Sequence, residues 1–230
     1  MRKLTRSAFH RRKLGMATAL GVALGWFAAM SCGSSNDGSK TVAGLPTAPA
    51  TEDQVARGRY LVIAGGCSDC HNRGKDDPSD PNWLAGFIEG TPGQPFQIGP
   101  FKTYPKNLTP DVATGLGGVT DRQVFNALRF GLHPDESPDA EITSTTPGEG
   151  NFPAEPHYLG PPMPWPAIRH LSDDDIWAVV AYLKHGIKAV SNAVPESDAP
   201  PDFWASAYTA DLVGPASIPA YPTSSEEFKP

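Results

Sequence analysis

The stretch of sequence that decides the fold is Cys67-Ser68-Asp69-Cys70-His71, which has the spacing C-x-x-C-H. In this spacing two thiols can bond to the two vinyl groups on one edge of a porphyrin while the next imidazole reaches the iron. A zinc site would need a second ligand pair at similar spacing, and the third cysteine, Cys32, lies far upstream. A thioredoxin-like redox pair would need a βαβ context, which the hydrophobic pattern lacks. We therefore expect one covalent haem c on Cys67 and Cys70, with His71 as the proximal iron ligand.

Met163 is the expected second axial ligand, because every other methionine of the sequence lies in the first 30 residues. It sits in the segment 161–166, Pro-Pro-Met-Pro-Trp-Pro, where the prolines stiffen the chain. A lone methionine is usually core filler. The rival ligands are four histidines: His133, His157, His170 and His185. His170 and His185 flank the last predicted helix and have the positions of surface or capping residues, so His133 and His157 are the alternatives if Met163 does not bind. Ligation by His and Met would leave the iron no open position for substrate.

Three short helices are predicted, each from a residue that caps its first turn. Thr51 and Thr120 begin capping boxes that end on glutamine, and Ser172 precedes three aspartates. The helices are expected to stop at the glycines near positions 65, 131 and 186. No segment alternates convincingly with period 2, so the fold class is all-α and loop-rich. Three short helices bury too little apolar surface for about 200 residues, and a haem would supply the missing core.

Residues 1–31 have the pattern of an export leader. Six basic residues and no acidic one precede Leu14, and an uncharged run of 17 residues extends from there to Met30. Cys32 follows, with a polar spacer after it, as in a bacterial lipoprotein signal that lacks the usual leucine three places before the cysteine. We expect a periplasmic protein tethered to a membrane by lipidated Cys32. Ordinary cleavage to a soluble form, or an uncleaved anchor, are the alternatives.

The charge beyond this leader is strongly acidic. The whole chain has 19 basic and 25 acidic residues, and with six basic residues in the leader, the part from Cys32 onward has a net charge of −12. Such a surface argues against nucleic acid as a partner. It favours redox protein partners with a basic docking patch. The predicted domains are the leader 1–31, a flexible linker 32–50, a haem-binding domain 51–188 with an inserted loop 134–160, and a Pro-rich C-terminal extension 189–230.

From about Val55 to Lys188 the sequence resembles class I cytochrome c domains, and most closely those in the cytochrome subunits of bacterial membrane-bound alcohol, gluconate and sugar dehydrogenases. Besides the C-x-x-C-H motif, the matching stretches are Ala56-Arg-Gly-Arg-Tyr60-Leu, Asn107-Leu-Thr-Pro-Asp111, Thr114-Gly-Leu-Gly117, Leu128-Arg-Phe-Gly131, Met163-Pro-Trp165, Leu171-Ser-Asp-Asp-Asp175 and Ala181-Tyr182-Leu183.

This resemblance implies a cytochrome c-like fold with short helices around one haem, His71 on one side of the iron and Met163 on the other. It implies that Gly58 in the first helix lets Tyr182 of the last helix approach closely; otherwise Gly58 is a tolerated helix glycine. It also implies that Asn107 and Thr109 lie beside the haem and form hydrogen bonds near its propionates. Their other interpretation is simple turn formation before Pro110.

The function implied by the resemblance is single-electron transfer between an exported dehydrogenase and a respiratory acceptor, by an electron carrier that is not itself an enzyme. The alternatives are a haem-based sensor or peroxidase-type protein with a displaceable sixth ligand, and an assembly subunit with a structural haem. Dehydrogenase subunits usually string three such domains together, whereas this sequence has one motif. The acidic insertion 134–160 is expected to be a solvated loop, with a docking surface as the alternative.

Overall fold

Helices form most of the regular structure in residues 49–198, 212–214 and 223–227, the parts of the chain that this computed structural model describes. The elements in chain order are α1 (Glu52–Ala64), α2 (Cys67–His71), the strands β1 (Phe96–Ile98) and β2 (Phe101–Thr103), a 3-10 turn (Leu116–Gly118), α3 (Asp121–Phe130), α4 (Trp165–Ile168), α5 (Asp173–Ala181) and a π-helical turn (Tyr182–Gly186). The predicted leader, the Cys32 lipidation, most of the linker and most of the C-terminal extension lie outside the described residues. Among the described helices, none has the length and hydropathy of a membrane-spanning segment.

The predicted helix starts are confirmed at the atomic level. The Thr51 hydroxyl accepts from the Gln54 amide at 3.2 Å, and the Gln54 side chain accepts from the Thr51 amide at 3.0 Å. Thr120 and Gln123 form the same reciprocal pair, with distances of 3.2 and 2.9 Å. At the other end of α3, Gly131 adopts the left-handed conformation with φ 71°. This conformation is unfavourable for residues that have a Cβ atom, so glycine is the preferred residue here.

The close approach of α1 to α5 confirms the predicted pairing of Gly58 with Tyr182. A Cβ atom on Gly58 would lie 1.8 Å from the Ala178 carbonyl oxygen and 2.8 Å from Tyr182 Cβ. The Tyr182 hydroxyl accepts a hydrogen bond from Trp83 Nε1 at 2.9 Å, which ties the loop after α2 to this crossing. Around the crossing lies a first apolar cluster, which contains Val62, Trp83, Leu84, Leu116, Val124, Phe125, Ile176, Val179, Val180, Tyr182 and Leu183.

The insertion 134–160 is only partly the expected solvated loop, because its acidic residues are mostly exposed while three of its apolar residues are buried. Ile142, Phe152 and Tyr158 pack with Phe130, Leu132, Trp165 and Val213 in a second apolar cluster. An isolated β-bridge between Leu132 and Tyr158 closes the base of the insertion. The acidic residues that suggested solvation lie between the buried residues Leu132, Ile142, Phe152 and Tyr158. These four residues are too widely spaced to give the hydrophobic periodicity of a helix or a strand.

The all-α expectation needs one small correction in the loop after α2. Strands β1 and β2 form an antiparallel hairpin in which Phe96 pairs with Thr103. A two-stranded hairpin with three-residue strands is a minor element that cannot stand alone in water. The Asp198 amide donates to the Lys102 carbonyl at 3.0 Å, so the start of the C-terminal extension lies along the hairpin.

The ion pair between α1 and α5 gives a pH-dependent prediction. Arg57 Nε donates to Asp175 Oδ1 at 2.9 Å, and this hydrogen bond holds the pKa of the Asp175 carboxyl below its usual value. A carboxyl with a lowered pKa stabilises the fold above its unfolded pKa and loses this contribution as the pH falls. We expect Asp175→Asn to lower the free energy of unfolding by up to about 1 kcal/mol at pH 7, with the difference shrinking from about pH 4 downward.

The control for this measurement is Asp174→Asn, which removes a neighbouring first-turn charge in the same helix. Both substitutions weaken the interaction with the helix dipole, and Asp175 differs from Asp174 by its interactions with the Arg57 and Ser172 side chains, of which the Arg57 bond is the larger influence on its pKa. Urea unfolding of both variants at pH 7 and pH 3 measures the loss in the free energy of unfolding. The prediction is contradicted if Asp175→Asn and Asp174→Asn lose equal amounts at each pH.

Candidate haem site

The one-turn helix α2 arranges its side chains in two sets. Cys67, Cys70 and His71 are at positions i, i+3 and i+4, which share one face of a helix, and all three are half-buried. Ser68 and Asn72 are fully buried, and they bond back to the protein. Ser68 donates to the Asp76 carboxylate, and Asn72 Nδ2 donates to the Lys75 carbonyl at 2.6 Å. The two thiols and the imidazole are therefore grouped on one face of α2, apart from the side chains of Ser68 and Asn72.

The His71 ring is held in one tautomer by the backbone. Its Nδ1 lies 2.7 Å from the Lys106 carbonyl oxygen, and because a carbonyl can only accept, the proton is on Nδ1 and the lone pair on Nε2. Burial lowers the pKa of His71, with the Lys106 hydrogen bond acting in the opposite direction. A neutral imidazole with Nε2 available is the form that ligates a metal, and a carbonyl partner on the other nitrogen is the usual outer support.

Lys106 reaches this position because the backbone of Gly86 approaches very closely. Gly86 has φ 83°, and a Cβ there would lie 2.6 Å from the Pro105 carbonyl oxygen. The Gly86 amide donates to the His71 carbonyl at 2.9 Å, so one glycine contacts both the ligand residue and the segment that orients its ring.

The two cysteines have the chemistry of buried thiols. Burial raises the pKa of Cys67 to about 11, and burial together with Asp69 raises the pKa of Cys70. Redox-active C-x-x-C pairs have lowered thiol pKa values, and the described residues contain no sheet larger than the β1–β2 hairpin. Both observations count against the thioredoxin-like interpretation. The donor set of two thiols followed by a neutral imidazole fits covalent haem.

Met163 lies in a loop that is fixed at both ends. Two residues later, Trp165 is completely buried, and its Nε1 donates to the Leu159 carbonyl at 3.0 Å. Before it, the Pro161 carbonyl accepts from Thr103 Oγ1 at 3.3 Å. Thr103 and Lys106 belong to one short segment, so the loops that carry Met163 and the support of His71 share an anchor. The Met163 side chain is half-buried and packs on the second apolar cluster, and its role as ligand stays a prediction.

The rival histidines lie elsewhere in the protein's hydrogen-bond network. His133 Nε2 is 3.2 Å from the Tyr158 carbonyl, and His157 Nδ1 pairs with Glu136. His185 is exposed and lies 2.8 Å from Asp121 Oδ2, while His170 is also exposed. The surface positions predicted for His170 and His185 are confirmed.

Asn107 and Thr109 are buried and bind the start of the C-terminal extension. Asn107 Nδ2 donates to Thr114 Oγ1 at 3.1 Å and to the Val190 carbonyl at 2.8 Å, while its Oδ1 accepts from the Thr109 amide and hydroxyl. The Thr109 hydroxyl in turn accepts from the Val190 amide at 3.0 Å. These two side chains therefore hold Val190, and their predicted contact with the haem propionates stays a prediction.

We expect Thr109→Val, which keeps the shape but removes the hydroxyl, to destabilise the protein by about 1 to 2 kcal/mol because the Val190 amide loses its partner. Hydrogen exchange at that amide should become faster, and the mass-resolved exchange of peptides around residue 190 measures this directly. Thr146→Val makes the same chemical change at an exposed threonine and serves as control. Unchanged exchange at Val190 would show that Thr109 does not hold this segment.

Comparison with known proteins places the chain beside bacterial dehydrogenase subunits. The gluconate 2-dehydrogenase cytochrome c subunit of Pantoea cypripedii is 31% identical over 169 residues, which are 71% of this chain and 30% of that protein. The fructose dehydrogenase cytochrome subunit of Gluconobacter japonicus is 29% identical over 162 residues, 69% of this chain and 27% of that protein. The chain is a homologue of these cytochrome c subunits.

A third relative agrees with the first two. The cytochrome c subunit of the quinone-dependent alcohol dehydrogenase of Gluconobacter oxydans is 31% identical over 149 residues, 64% of this chain and 25% of that protein. No family model matches the sequence. The matched part of the chain covers at most 30% of the length of these relatives. The homologues support a cytochrome c-like fold, a haem c cofactor and a role in electron transfer.

Several residues that shape the site of this cytochrome c homologue could not be found from the sequence. Lys106 acts through its carbonyl, a group that every residue carries. Gln94 Nε2 donates to the Cys70 carbonyl at 2.8 Å, and its Oε1 is buried without a partner among the described residues. Asn192 Nδ2 donates to the carbonyls of Ala85 and Phe87 at 2.7 and 2.9 Å. The partners are 24 to 107 residues apart, and no local pattern marks them.

Proposed function

We propose that this chain is a monohaem c-type cytochrome that transfers single electrons between an exported dehydrogenase and a respiratory acceptor. The observation that carries the proposal is the grouping of Cys67, Cys70 and His71 on one face of α2, with the His71 proton directed to the Lys106 carbonyl. Haem iron supplies the one-electron redox chemistry when it is bound.

The protein's own part in this function is to bind, orient and enclose. Cys67 and Cys70 form the covalent attachment, and His71 offers Nε2 as the proximal ligand. We propose Met163 as the distal ligand, because its loop shares the 103–106 anchor with the support of His71. Burial of the His71 ring lowers its pKa, which favours the neutral imidazole that ligation requires. No residue of this site needs to act as a general acid or base.

The partners follow from charge and from the homologues. The net charge of −12 from Cys32 onward suits a redox partner with a basic patch. The homologues' names are those of subunits of dehydrogenases, and we propose a dehydrogenase as the electron donor. Tethering through a lipid on Cys32 would keep the carrier at the periplasmic face of a membrane.

The test is expression of the full chain in a bacterium that has the haem-attachment machinery. We expect intact-mass and pyridine haemochrome measurements to give one covalent haem per chain. The Cys67→Ala, Cys70→Ala double variant should carry no covalent haem. The Cys32→Ser variant is the matched control, because it should keep the haem while leaving the membrane fraction. A wild-type chain without covalent haem, or with more than one, would contradict the proposal.

Electron transfer is tested separately by mixing the oxidised protein with washed membranes of the source bacterium and a dehydrogenase substrate. Reduction of the haem should slow as salt is added, because screening weakens the attraction between an acidic carrier and a basic patch. A haem that dithionite reduces but no membrane substrate does would indicate a structural haem rather than an electron carrier.

A further inference from the structure

A pocket of about 530 Å³ lies away from α2, between α3, the start of α5, the insertion 134–160 and Val213. Ligand pockets in proteins usually have volumes of about 300 to 1,000 Å³. Two of its four walls come from segments that the proposed electron transfer does not use, the insertion and the C-terminal extension. Its lining combines apolar side chains, among them Ile142, Trp177 and Val213, with two arginines of α3.

The two arginines differ in how their charge is satisfied. Arg129 is buried, and its guanidinium pairs with the Asp173 carboxylate and donates to the Arg169 carbonyl. Arg122 is only 5% exposed, yet its Nε and Nη2 have no hydrogen-bond partner among the described residues. A buried guanidinium without a hydrogen-bonding anion is costly, because desolvation is not repaid. The Nε and Nη2 edge is the one that pairs bidentately with a carboxylate.

Aromatic rings surround Arg122 and form an apolar wall. Its guanidinium carbon lies 4.6 Å from the centroid of the Trp177 ring and 5.1 Å from that of Phe125. These two rings stack on each other with centroids 4.5 Å apart. Cation–π contacts of this kind orient a guanidinium but leave its N–H groups without acceptors. The arrangement therefore offers a positive, donor-rich group beside a flat apolar surface.

Three carboxylates of the chain act electrostatically on Arg122, those of Glu141, Asp173 and Asp139. Glu141 is exposed and lines the pocket, and its charge acts on Arg122 without forming an ion pair in the structure. Asn126 lies one turn further along α3, and its buried Oδ1 also has no partner among the described residues. The unpaired edge of Arg122 is enclosed, so the side chain must turn toward the pocket to meet a ligand. Its four-bond side chain allows that movement.

We propose that this pocket binds a small organic carboxylate, with Arg122 as the anion-binding group and the Trp177 side of the pocket as the surface for the ligand's apolar part. None of the proposed haem ligands lines this pocket. A negative binding result would therefore leave the proposed electron transfer standing, and loss of electron transfer would not contradict the binding site. The insertion and the C-terminal extension would then serve to build a second binding site on the electron-transfer domain.

The experiment is isothermal titration calorimetry of the haem-loaded full chain with sodium benzoate, and with benzamide as the neutral molecule of the same shape. We expect saturable binding of one benzoate and at least tenfold weaker binding of benzamide. Arg122→Gln should weaken benzoate binding by roughly 10- to 100-fold, the range for a hydrogen bond to a charged group. Lys188→Gln removes one positive charge at an exposed site and should leave binding unchanged.

Two further variants keep the proposal testable. Glu141→Gln should tighten benzoate binding, because a competing carboxylate is removed from the pocket. Arg122→Lys keeps the charge without the bidentate edge, and it should bind more weakly than wild type even if Arg122→Gln does not fold. Equal binding of benzoate and benzamide, or unchanged binding in both Arg122 variants, would overturn the proposal. Failure of both wild type and Glu141→Gln to bind benzoate would do so as well.

Discussion

Replacing Gly58 by alanine is expected to reduce the free energy of unfolding by about 3 kcal/mol, the upper end of the usual cost of overpacking a core. The added methyl group would lie 1.8 Å from the Ala178 carbonyl oxygen, an atom of the α5 backbone that cannot turn aside. The two helices would have to separate, and the first apolar cluster would separate with them. Alanine's better helix propensity, worth about 1 kcal/mol, does not offset this cost.

Urea unfolding of the haem-loaded protein, followed by far-UV circular dichroism, measures this effect. Ala56→Leu adds a larger side chain to an exposed position of the same helix and should change stability by no more than about 0.5 kcal/mol. A Gly58→Ala variant as stable as the parent would mean that α1 and α5 do not cross at this glycine.

Replacing Met163 by leucine is expected to leave the fold nearly intact while opening the sixth coordination position. Leucine has a similar volume and keeps the contacts with the second apolar cluster, so the stability cost should stay below about 1.5 kcal/mol. The thioether is lost, and with it the proposed axial ligand, which would raise the reduction potential. We expect the potential to fall by on the order of 100 mV. Imidazole should then bind to the oxidised protein, which the parent should resist.

Redox titration and an imidazole titration followed by absorbance check both parts of this prediction. Met163→His restores a sixth ligand, and it should resist imidazole while keeping a low potential. If the leucine variant kept the parent's reduction potential and resistance to imidazole, Met163 would be a packing residue only. A histidine such as His133 would then be the sixth iron ligand. If the parent itself bound imidazole readily, the sensor or peroxidase-type alternative would be favoured.

The sequence predicted best those features that depend on neighbours in the chain. A capping box needs residues three apart, so Thr51 with Gln54 and Thr120 with Gln123 could be recognised and were confirmed. The C-x-x-C-H spacing likewise groups its side chains on one turn. The pairing of Gly58 with Tyr182 is long-range, and it was predicted only through the resemblance to a known family.

Other contacts between distant parts of the chain, which the resemblance did not supply, could not be predicted. Asn107 resembles a residue beside the haem, but its amide binds Val190, 83 positions later, through a backbone carbonyl that has no side-chain signature. Ile142 and Phe152 are isolated apolar residues among acids and glycines, so nothing indicated that they anchor a second cluster. Arg122 was an ordinary polar residue of a predicted helix, and only the packing around it left its charge unpaired.

The hydrogen bonds from Asn107, Thr109 and Asn192 also determine the order in which the protein can form. They join the loop after α2 to residues more than 80 positions later. A chain emerging from its N-terminus can complete α1, α2 and their caps early, since those contacts are local. The loop that orients His71 acquires its last partners only when Val190 and Asn192 are available to it. For the proposed haem attachment to Cys67 and Cys70, this order would provide an interval in which the motif is folded as a turn while the surrounding loop is still open.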